Sequence, residues 1–358
     1  MALALIYGWL QELLDNFTRH VAWSSPPQSQ SPLLELPADV VALIVTFLSP
    51  SDELSAALVC KPLHSICKRN RLTKHVCKKD REDFLLRMER DLMATHIYCA
   101  VCMRLHRISS LNKPNEPPPF SGAPICLGID YKNSPTFSEN HFAYHHGRAA
   151  MNRHLYGAPA GLDPESLRYR TLFTDINLIL GYYVWFGRYS VKIISDNLFL
   201  FGENVMESRD ERSMTRKLNA GSYDICPHTT TSAMSNRMFC STRAVGLSEG
   251  DIFRFLQEPG RVVHGSCDRC LTDYTVEISR RSRSPRPVVY YRVKIKMWTD
   301  FGQFRSPQDW KWRAWRRKVG EYYSVAPRNL KKYPPRSVFQ RYHAAEEQKE
   351  SENFEASA

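Results

Sequence analysis

The sequence predicts an α+β protein: a three-helix module near the start, followed by a mixed α/β body with antiparallel strands. Three observations carry this reading. Apolar residues recur with helical spacing over 36–67. The run TLFTDINLILGYYVWFGRYSVKIISDNLFLF at about 170–205 is β-branched, aromatic and punctuated by Gly, which predicts three or four strands joined by short turns. A second such run, VVYYRVKIKMW at 288–298, partly alternates. The composition agrees, with 43% hydrophobic, 24% charged and 11% aromatic residues. These values exclude a disordered or collagen-like chain. A chain of 358 residues has room for one large domain or two ordinary ones.

Residues 1–32 comprise a short amphipathic segment, MALALIYGWLQELLDNF, and the Pro/Ser/Gln linker SSPPQSQSP. The segment lacks the basic start of a secretory signal, and no apolar run approaches the ~18–20 residues that span a bilayer. Cytoplasmic and/or nuclear residence is expected. Residues 33–76 form the helical module and 77–325 the body. The segment SRRSRSPRP at 279–287 reads as an exposed loop. Residues 326–358 read as a basic-to-acidic disordered tail, because Glu346, Glu347, Glu350, Glu352 and Glu355 occur with no apolar pattern.

In the helical module, Leu36-Pro37 opens the first helix, with Pro37 expected at its first position and Asp39 in the first turn. Val40, Val41, Ile44, Phe47 and Leu48 make one apolar stripe. Ser49-Pro50-Ser51-Asp52 stops that helix and caps the next, with Asp52 placed to return the capping bond. Leu54, Ala57, Leu58 and Val59 continue it, and a third helix carries Leu63, Ile66 and Cys67 inward. Three short helices can cover only part of these side chains. Each Leu, Ile or Phe left in water forgoes about 1.5–3 kcal/mol of burial. Four to six of them docked on a partner would gain on the order of 10 kcal/mol, against an association cost of ~4–15 kcal/mol. A partner surface is expected, unless the body supplies the cover.

The stretch LPADVVALIVTFLSPSDELSAALVCKPLHSI resembles an F-box, the module that joins substrate receptors to the adaptor subunit of SCF-type cullin–RING ubiquitin ligases. Leu36, Pro37, Val40, Ile44, Leu48, Pro50, Asp52, Leu54, Leu58, Val59 and Cys60 match the family's spacing. Leu63, where a Trp is common, and Thr73, where a Leu-Trp pair often ends the motif, depart from it. The resemblance implies a non-catalytic receptor for an unknown protein substrate. Its adaptor would sit on Leu36, Pro37, Val40, Val41, Ile44, Phe47, Leu48, Leu54, Leu58, Val59 and Cys60.

The cysteines lie in pairs. Cys99 and Cys102 form one CxxC, and Cys267 and Cys270 another. Four thiolates about 2.3 Å from one ion suit structural zinc. A shared ion would close a very long loop and pin the helix beyond the F-box to the β body. Cys226, His228, His106 and Cys126 are further candidate ligands. Inert buried cysteines and a redox pair are the alternatives. The CxxCxxxH segment (Cys99, Cys102, His106) also resembles one found in a recurrent F-box type of filamentous fungi. So do the later Cys-Pro-His step, the Arg-Cys-x-Thr-Asp-Tyr step (Arg269 to Tyr274) and W-x-D-x-G…S-P-x-D-x-x-W (Trp298 to Trp312).

The net charge is +12, with local excesses of +7 over 61–81 and +8 over 311–336. These basic stretches support a second reading, a zinc-stabilised nucleic-acid-binding protein, since Trp310, Trp312 and Trp315 interleave with cations. The plainer account is a helix that docks Trp312 and Trp315 on the body. His141, His145, His146 and His154 read as a solvated or hydrogen-bonded loop, because no Glu accompanies them as in a zinc hydrolase. No nucleophile elbow, phosphate-cradling loop or dinucleotide fingerprint appears, so catalysis is not expected.

Overall fold

The computed structural model describes residues 32–70, 77–100, 102–108, 142–158, 160–177, 181–209, 214, 224–230, 243–244, 262–283, 288–315 and 328–357. The N-terminal amphipathic segment, Thr73, Cys126, His141 and the stretch 284–287 lie outside them. The fold is α+β and divides into two units, Met1–Asp91 and Leu92–Ala358.

The first unit is helical: α1 (Pro32–Glu35), α2 (Ala38–Thr46), α3 (Pro50–Val59), α4 (Lys61–Asn70) and α5 (Lys78–Asp91). Pro37 stands one position earlier than expected, as the cap of α2, where its carbonyl accepts the amides of Val40 and Val41. Its fixed φ of −52° suits either position. Ser49 caps α3 by accepting the Asp52 amide at 3.2 Å, with Pro50 in the first turn. The Asp52 carboxylate takes the Ser49 hydroxyl and pairs with Arg87 of α5. Val45, Ala57 and Cys67 form a small core, with Leu48, Ala56 and Ile66 packed against it.

The second unit starts with a two-stranded hairpin, β1 (His96–Cys99) and β2 (Arg104–Arg107), and α6 (Tyr144–Tyr156). A six-stranded antiparallel sheet follows, ordered β3-β4-β5-β11-β10-β9. Its strands are β3 (Tyr169–Asn177), β4 (Gly181–Ile194), β5 (Asn197–Ser208), β9 (Val262–Ser266), β10 (Thr272–Arg283) and β11 (Val288–Asp300). A small sheet holds β6 (Asp224–Cys226), β7 (Thr229–Thr230) and β8 (Arg243–Ala244). The β4–β5 turn is two residues, Ser195 and Asp196, both at positive φ, as a tight hairpin's twist requires.

Side-chain alternation gives the large sheet two covered faces. One face packs Tyr189, Val191, Leu200, Met206, Ile295 and Met297 into the main core with α6 and with α7 (Trp310–Trp315). Trp312 and Trp315 are buried there among Phe142, Phe301 and Phe304. Helix α6 approaches closely because Gly147 has no side chain: a Cβ there would lie 2.4 Å from the Phe304 ring. On the other face, Phe199, Leu271 and Trp298 meet Val338 and Tyr342 of α8 (Ser337–Ser357).

Three expectations give way here. The 326–358 segment is not a disordered tail, since most of it is α8. Its apolar anchors, Val338, Phe339 and Tyr342, precede the glutamates. The supposed loop at 279–287 is strand as far as Arg283, whose partner is Val288. Ser279 and Arg281 pair with Arg292 and Tyr290 on β11, so the polar run continues the ladder of a paired strand. His145 and His146 are buried on α6 rather than solvated, and His146 Nδ1 accepts the Ala143 amide at 3.0 Å.

Two buried carboxylates fasten α8. Asp273, on β10, accepts the amides of Val338 at 2.8 Å and Phe339 at 2.9 Å, satisfying orphan donors of the helix start. Asp300, at the end of β11, holds Lys311 Nζ at 2.9 Å and Arg341 Nη2 at 2.8 Å through Oδ2, and the Gly302 amide through Oδ1. Asp309 accepts the Lys311 amide at 3.0 Å, and burial raises its pKa above the ordinary carboxylate value. The Asp273, Asp300 and Asp309 positions of the sequence motifs are therefore structural fasteners.

Candidate docking face and metal centre

Helix α2 has two unlike faces. Val41 and Val45 are both buried, and Val45, with 4% of its surface exposed, belongs to the small core. Val40, Leu43, Ile44 and Phe47, at i, i+3, i+4 and i+7, all face solvent, Phe47 with 83% exposed. Leu36, Pro37 and Val59 are exposed as well. Leu48, Leu58 and Cys60 are half-buried, while Leu54 is buried with Val41. The expected docking residues thus separate into an outward set and an inward set. Leu43 belongs to the outward set and was missing from the expected face, although its place between Val40 and Phe47 in the same stripe identifies it. Grouped large apolar side chains in water mark an interaction surface.

The two CxxC pairs do not share an ion. The structure places them in two clusters, each with ligating atoms within 4.8 Å of one another. Cys267 and Cys270 join Cys226 and His228, all four buried, and Cys99 and Cys102 join His106. The physical reason is topological. Cys226 and His228 lie at the end of β6 and in its turn to β7, while Cys267 and Cys270 occupy the β9–β10 turn. The hairpin cysteines stay with the histidine of their own second strand.

The four-donor cluster has the makeup of a closed zinc centre, three thiols and one imidazole. Burial pushes the Cys226 and Cys270 thiols well above the ordinary thiol range. Cys267, hydrogen-bonded by Cys226 and Cys270, is held well below it. The other two buried sulfurs would join Cys267 as thiolates only beside a compensating cation. The Arg269 amide donates to Cys267 Sγ at 3.4 Å, and Thr272 Oγ1 lies 3.2 Å from Cys270 Sγ, so neighbouring groups orient two of the sulfurs.

Of the basic stretch 311–336, residues 316–327 lie outside the described residues, and the part from 311 to 315 is a core helix. Lys311 is paired with Asp300, and the faces of Trp312 and Trp315 are turned into the core. These rings are closed to base stacking. The outer face of the sheet carries a cleft of about 550 Å³ beside α8, where Arg170, Arg188, Lys192 and Lys296 line the wall together with Glu165, Glu346 and Glu350. Arg170 and Arg188 are direct cross-strand partners. Like charges so placed repel.

The F-box-like family model matches residues 33–79, the stretch that holds the two-faced helix. The chain carries an F-box-like domain there. Comparisons with curated proteins and with solved structures find no match for the chain. An F-box-like domain is a protein–protein interaction module. No described helix is long and apolar enough to cross a membrane.

Proposed function

We propose that this chain is a non-catalytic substrate-recognition subunit of an SCF-type cullin–RING ubiquitin ligase. The observation that carries the reading is the outward stripe of α2, Val40, Leu43, Ile44 and Phe47, with Leu36, Pro37 and Val59 beside it. The cullin adaptor would cover these side chains, Leu48, Leu58 and Cys60 lying at the margin. Val41 and Leu54 would support the face from within. The body would present a protein target, and the cleft of mixed charge beside α8 is the surface we assign to it. Other subunits transfer the ubiquitin, so this chain supplies proximity and orientation. Such a receptor works in the cytoplasm and/or nucleus.

Co-purification with the adaptor tests the reading. An Ile44→Asp, Phe47→Asp variant should lose adaptor capture while keeping its melting temperature, because both side chains are solvent-facing. Capture at full yield would refute the docking face. The competing nucleic-acid reading predicts oligonucleotide binding that falls steeply with salt. Adaptor capture without oligonucleotide binding at low salt would dispose of it.

We also infer that the body holds one structural Zn²⁺ at Cys226, His228, Cys267 and Cys270. The buried donor set supports this. A Cys226→Ser, Cys270→Ser variant should lose that ion and melt at a lower temperature. An unchanged zinc content would overturn the assignment.

A further inference from the structure

The hairpin of β1 and β2 presents a donor set of a different kind. Cys99, Cys102 and His106 bring two sulfurs and an imidazole nitrogen within 4.8 Å of one another. The backbone explains how. The Cys99 carbonyl accepts the Met103 amide at 2.9 Å, and Met103 has φ of 53°, so the chain reverses tightly and returns Cys102 beside Cys99. In the register of the strands, Cys99 faces Arg104 and Ile97 faces His106. Cys99 and His106 therefore lie on the same side of the hairpin, two positions apart. Cys102 Sγ lies 3.1 Å from His106 Nε2.

The hairpin forms a separate sheet of two strands, each four residues long. Two such strands are marginally stable alone in water. Its anchorage includes Ile97, Tyr98 and Cys99, all buried, while Cys102 in the turn and His106 opposite Ile97 are half-exposed. A thiol and an imidazole at this distance would also suit a nucleophile and its base. The convergence of a second thiol on the same point favours a metal, because a nucleophile needs one sulfur and zinc uses both. Binding displaces the two thiol protons and leaves two thiolates and a neutral imidazole around the ion.

We propose that Cys99, Cys102 and His106 form a second Zn²⁺ site, separate from the buried four-donor centre and more exposed than it. Three donors among the described residues leave one tetrahedral position for water or another ligand. Two of its three donors are half-exposed, so its ion exchanges with solution far more readily than the enclosed one. It staples the hairpin turn.

The test uses the full chain, refilled with Zn²⁺ and freed of excess metal. About two zinc equivalents per chain are expected, with a chelator removing about half of them quickly and the remainder slowly. A Cys102→Ser, His106→Ala variant should retain about one equivalent and lose the fast phase. A Cys226→Ser, Cys270→Ser variant should keep the fast phase, which separates failure of one site from failure of the other. Alkylation mapped on the unmodified sequence needs no variant. Zn²⁺ should slow labelling of Cys99 and Cys102 at least about tenfold, and brief chelation should restore it while Cys226, Cys267 and Cys270 stay protected. Labelling of Cys99 and Cys102 at the same rate with and without Zn²⁺ would overturn the proposal. An undiminished fast phase in the Cys102→Ser, His106→Ala variant would do so too.

Discussion

In α2, Phe47 leaves 83% of its surface in water, while in the body Trp298, Trp312, Trp315, Phe301 and Phe304 each leave at most 2%. The two units treat comparable side chains in opposite ways, and size explains much of it. A large unit built on a six-stranded sheet can enclose its aromatics on both faces. A unit of short helices has too little interior for a second layer. Val41, Val45 and Leu54 fill that interior, and the other side of α2 is left for something else to cover. The described aromatics of the body are enclosed, whereas the outward stripe of α2 stays in water, as the proposed adaptor docking requires.

That contrast can be broken at three points. The largest effect is expected in the body. Asp300→Asn would leave the buried Lys311 ammonium without its counter-charge and weaken the hold on Arg341, at a cost of about 3–5 kcal/mol in chemical denaturation. A loss below about 1 kcal/mol would mean that the pair contributes little there. The next effect compares two positions on one helix. Val45→Ala should cost about 2 kcal/mol of stability and leave a small void. Phe47→Ala should change stability by less than about 0.5 kcal/mol yet weaken adaptor binding at least about tenfold, read by titration calorimetry. If the two swapped behaviours, the inward and outward assignment of α2 would be wrong.

The smallest effect lies at the α2–α3 junction. Ser49→Ala should cost about 1 kcal/mol by removing the cap of α3. It should also alter the acid side of the stability curve. The Ser49 hydroxyl first, and then Arg87, hold the Asp52 carboxyl below its ordinary value of 3.8. A depressed folded-state pKa contributes stability that is present above the unfolded value and is lost as pH falls through the folded one. Melting between pH 5 and pH 2 should therefore steepen less in the variant than in the parent, and equal slopes would assign the effect to Arg87.

The helices of the F-box-like domain were legible because their signals are local. Proline, capping serine and the i, i+4 stripe act within one or two turns, and only the place of Pro37 moved, by one residue. The strands around 170–205 were legible for the same reason. What escaped depends on distant partners. Helix α8 hangs on a few apolar residues and on Asp273, more than sixty positions upstream. Its glutamates, read alone, look like a solvated tail. Every residue of the two Cys/His clusters was a visible candidate, but grouping them required the sheet topology. Paired spacing suggested four cysteines around one ion, and the fold gives each pair a histidine instead. The burial of His145 and His146 was hidden because no periodic signal marked α6 as a core helix.

The two carboxylates that grip α8 have a practical consequence. A polypeptide severed ahead of Arg328 would still offer its detached C-terminal piece the same three footholds: the amides of Val338 and Phe339 at Asp273, the Arg341 guanidinium at Asp300, and the apolar seat under Tyr342. Co-expressed as separate pieces, the two should find each other and reassemble, which makes this junction a natural place to divide the protein for a split reporter.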